Sequence, residues 1–303
     1  MDFATVFLAQ SMEPQGALGV IDRVARTPLS NVVIVVAIAT VLRLILFPIL
    51  VKTPAHKRSG IFSLAKFSNE MLDAIIYAGV FVFLIIRPFV LQTFFIPSGS
   101  MVQTLQVKDY IIANKFVFRT SDPKFQDIVV FKPPQSALFP GQGETDFIKR
   151  VIGTPGDIIE LRDKVLYRNG KTVTEPYRAY TRRDTSQPMR EVYTNLTPDE
   201  VSLEPAPDFK LVEYQGRIIP LNMMGDLVNV GGVAKEFEIR DLSQMRTLKN
   251  LPPAKVPAGK YLMMGDNRNG SFDSRGWGLV DREKIIGRAE VIWFPVARWG
   301  SLR

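Results

Sequence analysis

Residues 31–51 read NVVIVVAIATVLRLILFPILV, an almost unbroken run of apolar side chains, many of them β-branched. A bilayer core takes about 20 such residues as a helix, so the run is long enough to span one. Arg43 and Pro48 interrupt it. The span is therefore expected to start a few residues early, with Arg43 snorkelling towards one interface. A second run, from about Met71 to Leu91 (MLDAIIYAGVFVFLIIRPFVL), follows closely. Neither suits a cleavable leader, whose apolar core is only about 7–15 residues long. Buried core helices are the alternative, and two such runs so close together argue against them.

Between the runs, the segment 52–70 carries Lys52, His56, Lys57, Arg58 and Lys66, opposed by Glu70 and, just beyond, Asp73. The tail, residues 1–30, carries Asp2, Glu13 and Asp22 against Arg23 and Arg26. The positive-inside rule places the 52–70 loop in the cytoplasm. The tail and everything after Leu91 then lie outside, a multi-pass arrangement.

Charged residues make up 22% of the 303, too many for the whole chain to be embedded, so the remainder must fold as a globular unit. There is no cysteine, which excludes disulfides, thiolate nucleophiles and Cys-based metal centres. The single histidine, His56, sits in the basic loop away from the large domain. A histidine-dependent triad or metal cluster has no other candidate, and acid–base chemistry falls to Lys, Asp, Glu or Tyr. The net charge of +8 suits an anionic partner. The basic residues form no aromatic-interleaved stripe, so anionic lipid is expected rather than nucleic acid.

From Gln92 onward the pattern turns to short alternating or β-branched runs broken by Gly, Pro and Asp. Strands are expected at Tyr110–Ala113, Asp127–Phe131, Asp157–Leu161, Lys164–Tyr167, Lys260–Met264 and Ala289–Phe294. Asn169-Gly170 marks a hairpin, because both residues tolerate positive φ. A short helix fits around Thr197–Val201. The segment 172–256 is richer in charge and proline and reads as an inserted subdomain or a set of long loops. The mainly β domain then comprises 92–171 and 257–303.

Three separated motifs carry chemistry. Ile96-Pro97-Ser98-Gly99-Ser100-Met101 sets two serines about a glycine just beyond the second run. Such a triplet is ordinary turn material, and its place beside a membrane anchor gives it weight. Lys149-Arg150 lie in an apolar strand ending at Pro155-Gly156-Asp157, where alternation points them to opposite faces. A lysine turned inward without an acid partner is driven neutral by desolvation and becomes a base near working pH. Two exposed edge-strand cations are the plainer alternative. The third motif is the run from Gly265 to Gly278. It fails the EF-hand spacing because Arg268 falls where an oxygen ligand is needed, and it reads instead as a polar loop held by an Asp–Arg pair. Ser63 and Lys66 match a Ser-x-x-Lys pattern, but they lie in the short loop and its companion motifs are missing.

Together the three motifs and the two runs resemble bacterial type I signal peptidase, the leader peptidase. Pro97-Ser98-Gly99-Ser100-Met101, then Lys149-Arg150 with Gly153 and Pro155-Gly156-Asp157, then Gly265-Asp266-Asn267-Arg268, Ser271 and Asp273-Ser274-Arg275 match its motifs in order. The resemblance implies an antiparallel-sheet catalytic domain behind two transmembrane helices in the bacterial inner membrane. It implies Ser100 as nucleophile, Lys149 as general base, Ser98 as an oxyanion donor and Ser271 as a hydrogen-bond partner orienting the lysine. Asp273 and Arg275 would form a supporting ion pair. Phe94, Ile96, Met101, Leu105 and Ile148 fall where the family builds pockets for small side chains, although ordinary core residues would look the same.

The implied reaction removes signal peptides from exported preproteins after Ala-x-Ala sequences, with no metal or organic cofactor. The implied partners are those preproteins and the phospholipid bilayer, and the protein export channel is a further candidate. Three departures stand out: Gln103 where many members have proline, Lys108 where glycine is usual, and Phe147 where tyrosine is common. A self-cleaving Ser–Lys repressor-type protease is argued against by the two apolar runs. An inert tethered binding domain is argued against by the presence of both Ser100 and Lys149.

Overall fold

A computed structural model describes residues 29–54, 60–81, 91–138, 141, 143, 145–186, 192–204, 206–225, 227–230 and 242–302. These fall into two compact units that part between Thr93 and Phe94. His56, Lys57 and Arg58, and most of the 1–30 tail, lie outside the described residues.

The first unit holds helix α1 (Leu29–Lys52) and helix α2 (Gly60–Ala78). Apolar side chains such as Val33, Ile38, Leu44 and Ile49 are about half exposed or more around α1. That pattern belongs to a helix whose solvent is hydrocarbon. Among the described residues it is the one helix long and apolar enough to cross a membrane, over Ser30–Lys52. The second expected span is not shown among the described residues. Helix α2 starts at Gly60, so residues 60–70, expected as loop, are helical, and residues 82–90 lie outside the described ones. Nor does Arg43 simply snorkel: its guanidinium pairs with the Asp73 carboxylate of α2.

The second unit is mainly antiparallel β. Strands β1 (Leu91–Phe95), β2 (Tyr110–Asn114), β3 (Ile128–Phe131) and β4 (Phe147–Gly153) contribute to the larger sheet. So do β13 (Lys260–Met264), β14 (Val280–Asp281), β15 (Ile285–Phe294) and β16 (Gly300–Ser301). Its order is β1-β2-β15-β3-β4-β13-β14, with β16 on β15. The second sheet uses β5 (Ile159–Arg162), β6 (Val165–Arg168), β7 (Lys171–Thr172), β10 (Asp208–Tyr214), β11 (Arg217–Met224) and β12 (Leu227–Val230). Its order is β12-β11-β10-β5-β6-β7. A separate hairpin pairs β8 (Thr181–Asp184) with β9 (Val192–Asn195).

Described strands of the segment 172–256 share the second sheet with β5 and β6. Phe209 and Lys210 of β10 pair with Leu161 and Glu160 of β5, and Ala254 N–H donates to the Leu211 carbonyl. The expected helix is found at Pro198–Leu203, started by a capping box between Thr197 and Glu200. Asn169 and Gly170 have φ of 53° and 77°, as the hairpin turn requires.

Alternation along β3 and β4 sets the stage for chemistry. Val129, Phe131, Phe147 and Val151 join one apolar cluster, whereas Ile128, Val130 and Ile148 join another. Lys149 pairs in register with Val129, between Phe147 and Val151 of its own strand face. A cation is thus placed among hydrocarbon.

Candidate active site

The chain leaves β1, bonds Ile96 N–H to the Asp109 carbonyl, and turns into a single 3₁₀ turn at Gly99–Met101. Ser100 is 8% exposed and Lys149 is 5% exposed. The Lys149 amine lies 2.7 Å from Ser100 Oγ and 3.0 Å from the Ile148 carbonyl oxygen. Ser98 Oγ is 3.5 Å from Ser100 Oγ. Burial pushes the Lys149 amine down from 10.5 to about 8, although the Asp273 and Asp266 carboxylates pull it up; the Arg275 charge adds to the lowering. A neutral amine at this distance can accept the serine proton. The plainer alternative of two exposed cations is excluded, since Arg150 is buried as well.

Arg150 faces the other way and is held as firmly. It donates to Asp266 through Nε and Nη2, at 2.8 and 2.6 Å, and its guanidinium lies 3.8 Å from the centre of the Tyr177 ring. Thr104 Oγ1 donates to the same carboxylate at 2.5 Å. The 265–275 loop also grips the serine turn directly. Asn267 N–H donates to the Ser100 carbonyl, and Asn267 Nδ2 donates to the Gly99 carbonyl at 3.0 Å.

A signal peptidase I of Buchnera aphidicola is 33% identical over 235 residues, covering 70% of this chain and 71% of that one. A probable signal peptidase I-2 of Synechocystis is 34% identical over 217 residues, covering 72% and 69%. A signal peptidase I of Pseudomonas fluorescens is 32% identical over 239 residues, covering 71% and 68%. The family described as signal peptidase, peptidase S26, matches residues 68–294. The chain belongs to that family. The match to the signal peptidase family takes in all three motifs and the 172–256 segment that the motifs alone left uncovered.

Within this signal peptidase, the Asp273–Arg275 pair forms as expected. Arg275 Nε and Nη2 reach the two carboxylate oxygens at 2.9 and 2.8 Å. Burial alone would raise the Asp273 carboxyl. The Arg275 charge, with bonds from Arg275 and from Gly265 N–H, holds it below the usual range. Ser271 is placed differently from expectation: among the described residues no hydrogen bond joins it to the Lys149 amine. Its Oγ is buried near Asp273, where it helps hold that carboxyl low, at a geometry too poor for a full hydrogen bond.

The five candidate pocket residues all belong to one apolar cluster. Ile96, Met101 and Leu105 are fully buried in it, so they back the site. Phe94 and Ile148 are the ones that keep accessible surface. Sequence reasoning quoted Arg150, Asp266, Asn267 and Arg268 within motifs without assigning them work. Glu175, which pairs with Arg268 in a fully buried ion pair, lies outside every motif and left no signal. Among the described residues no group of carboxylates or histidines is arranged to hold a metal ion.

Proposed function

We propose that the chain is a membrane-anchored serine endopeptidase that cuts signal peptides from exported preproteins after small residues, in Ala-x-Ala sequences. The observation that carries this reading is the 2.7 Å contact between the Lys149 amine and Ser100 Oγ.

The neutral amine takes the Ser100 proton as Oγ attacks the scissile carbonyl. The Ser100 N–H and the Ser98 hydroxyl donate to the developing oxyanion. The Lys149 ammonium then protonates the departing amine, leaving an ester on Ser100. A water that gives its proton to Lys149 attacks this ester and releases the signal peptide carboxylate. An extended substrate docks along β1, an edge strand of the larger sheet among the described residues, which leads into the nucleophile turn.

Helix α1 and the second apolar run, from about Met71 to Leu91, act as two anchors. The basic segment between them stays in the cytoplasm, and the N-terminus and catalytic unit lie on the outer face of the inner membrane.

The test is cleavage of an Ala-x-Ala peptide by the detergent-solubilised protein beside Ser100→Ala and Lys149→Ala. Cutting after the second Ala by the parent alone supports the reading. A folded parent that cuts none of several such peptides contradicts it.

A further inference from the structure

Gly99 separates the two serines, yet its φ is not in the left-handed region that favours glycine. A neighbour is what excludes a side chain there. A Cβ built at Gly99 would clash with the Tyr193 ring at its Cζ, Cε2 and Cε1 atoms.

Tyr193 comes from β9 and is half-buried, so part of its ring stays accessible beside the nucleophile turn. The hairpin carrying it belongs to neither large sheet. It is fastened to the loop that grips Ser100. Thr181 N–H donates to Asn269 Oδ1 and the Thr181 carbonyl accepts from Asn269 Nδ2, both at 3.0 Å. Just before it, Ala179 N–H donates to the Asp266 carbonyl and the Ala179 carbonyl accepts from Arg268 N–H, both at 2.8 Å. The Arg268–Glu175 pair closes the same strap from below. Hairpin and serine turn thus share one anchor, and the ring is held in place rather than resting there.

A peptide bond at Ser100 has an acyl side and a departing side. The candidate pocket residues for the acyl side, Phe94 and Ile148 over Ile96, Met101 and Leu105, form a cluster that does not include Tyr193. Tyr193 stands against the turn between the two serines and outside that cluster, which leaves the departing side for it. We propose that Tyr193 is a specificity-determining residue, its ring forming the wall that restricts the side chain immediately after the scissile bond to small ones. This rests on the reading of Ser100 as the nucleophile of an endopeptidase. An aromatic ring with two rotatable bonds makes a rigid obstacle, suited to exclusion rather than to adaptable contact.

The test compares kcat/KM on peptides sharing one Ala-x-Ala stem and carrying Ala or Trp directly after the cut, for parent and Tyr193→Ala. The Ala-over-Trp preference is expected to fall by about tenfold or more, the scale of a steric change in a pocket. Preference at the residue before the cut should stay as it was. An unmoved Ala-over-Trp ratio, or a change confined to the residue before the cut, overturns the proposal while leaving the endopeptidase reading intact. A parent that cuts no peptide overturns both.

Thermal unfolding supplies a readout free of activity. Gly99→Ala is expected to lower Tm, and Tyr193→Ala in the same chain is expected to recover most of that loss. Additive losses would show that the ring does not occupy this position.

Discussion

Lys149 reaches Ser100 Oγ at 2.7 Å from a strand face it shares with Phe147 and Val151, so the amine that needs a proton partner is also the one denied water. Its fall from 10.5 to about 8 corresponds to about 3 kcal/mol of disfavoured charge. The unfolded chain holds this proton more tightly than the folded one. Stability contributed by this group therefore rises with pH between about 8 and 10.5, and the whole penalty is present below about 8. Lys149→Met is expected to abolish cleavage while stabilising the protein at pH 7 by at most about 3 kcal/mol. Denaturant unfolding at pH 7 checks this; a large loss of stability contradicts it.

Asp266 does two things that can be separated. It pairs with Arg150 where both side chains are buried, so Asp266→Ala leaves a cation alone and should cost about 3–5 kcal/mol. Arg150→Met together with Asp266→Leu should recover much of that loss. Asp266 also raises the Lys149 amine. Asp266→Asn is therefore expected to move the acid limb of the activity profile to lower pH, and a limb that moves upward would rule this coupling out.

Lys108, expected from the resemblance to be glycine, has a φ of 73°. A side chain in the left-handed region is strained, whereas glycine enters it freely. Lys108→Gly should stabilise the catalytic unit by about 1 kcal/mol. A lowered Tm would show that the strain is offset by contacts of the lysine.

Much of this arrangement was readable from residue pattern, and the misses have physical causes. Val129 and Phe131 alternating with Ile128 and Val130 announce a strand buried on both faces. Asn169-Gly170 announces its hairpin by residue type alone. Gln215-Gly216 and Asp163-Lys164 make turns with the same paired positive φ, but Gln and Lys are not residues that advertise it. The β10–β11 hairpin built on the Gln215 turn was therefore hidden inside a segment judged by its charge and proline content. Helix α2 began early for a similar reason: Lys66, Glu70 and Asp73 looked like loop charges, although Lys66 and Glu70 stand one turn apart and Asp73 meets Arg43. Motif residues such as Ser100 and Lys149 were legible because reacting groups must be of one type. Glu175, which pairs with Arg268, and Tyr193, which stands against Gly99, were not, because contacts between distant segments leave no spacing to read.

The Arg43–Asp73 pair makes its own prediction. Both side chains are partly buried between the helices, so Arg43→Leu alone leaves the carboxylate without its partner, and Asp73→Leu alone leaves the guanidinium without its own. The double replacement should be more thermally stable in detergent than either single one. Additive losses would mean that the pair contributes no coupling.

The central claim is that a desolvated lysine, and not a histidine, takes the proton of Ser100. It is tested most directly by kcat/KM for an Ala-x-Ala peptide measured from pH 5.5 to 10. The account predicts activity rising with pH along a single limb centred at about 8, where Lys149 becomes neutral. A limb near about 6.5, the range of an ordinary histidine such as His56, or a rate that ignores pH across this window, would contradict it.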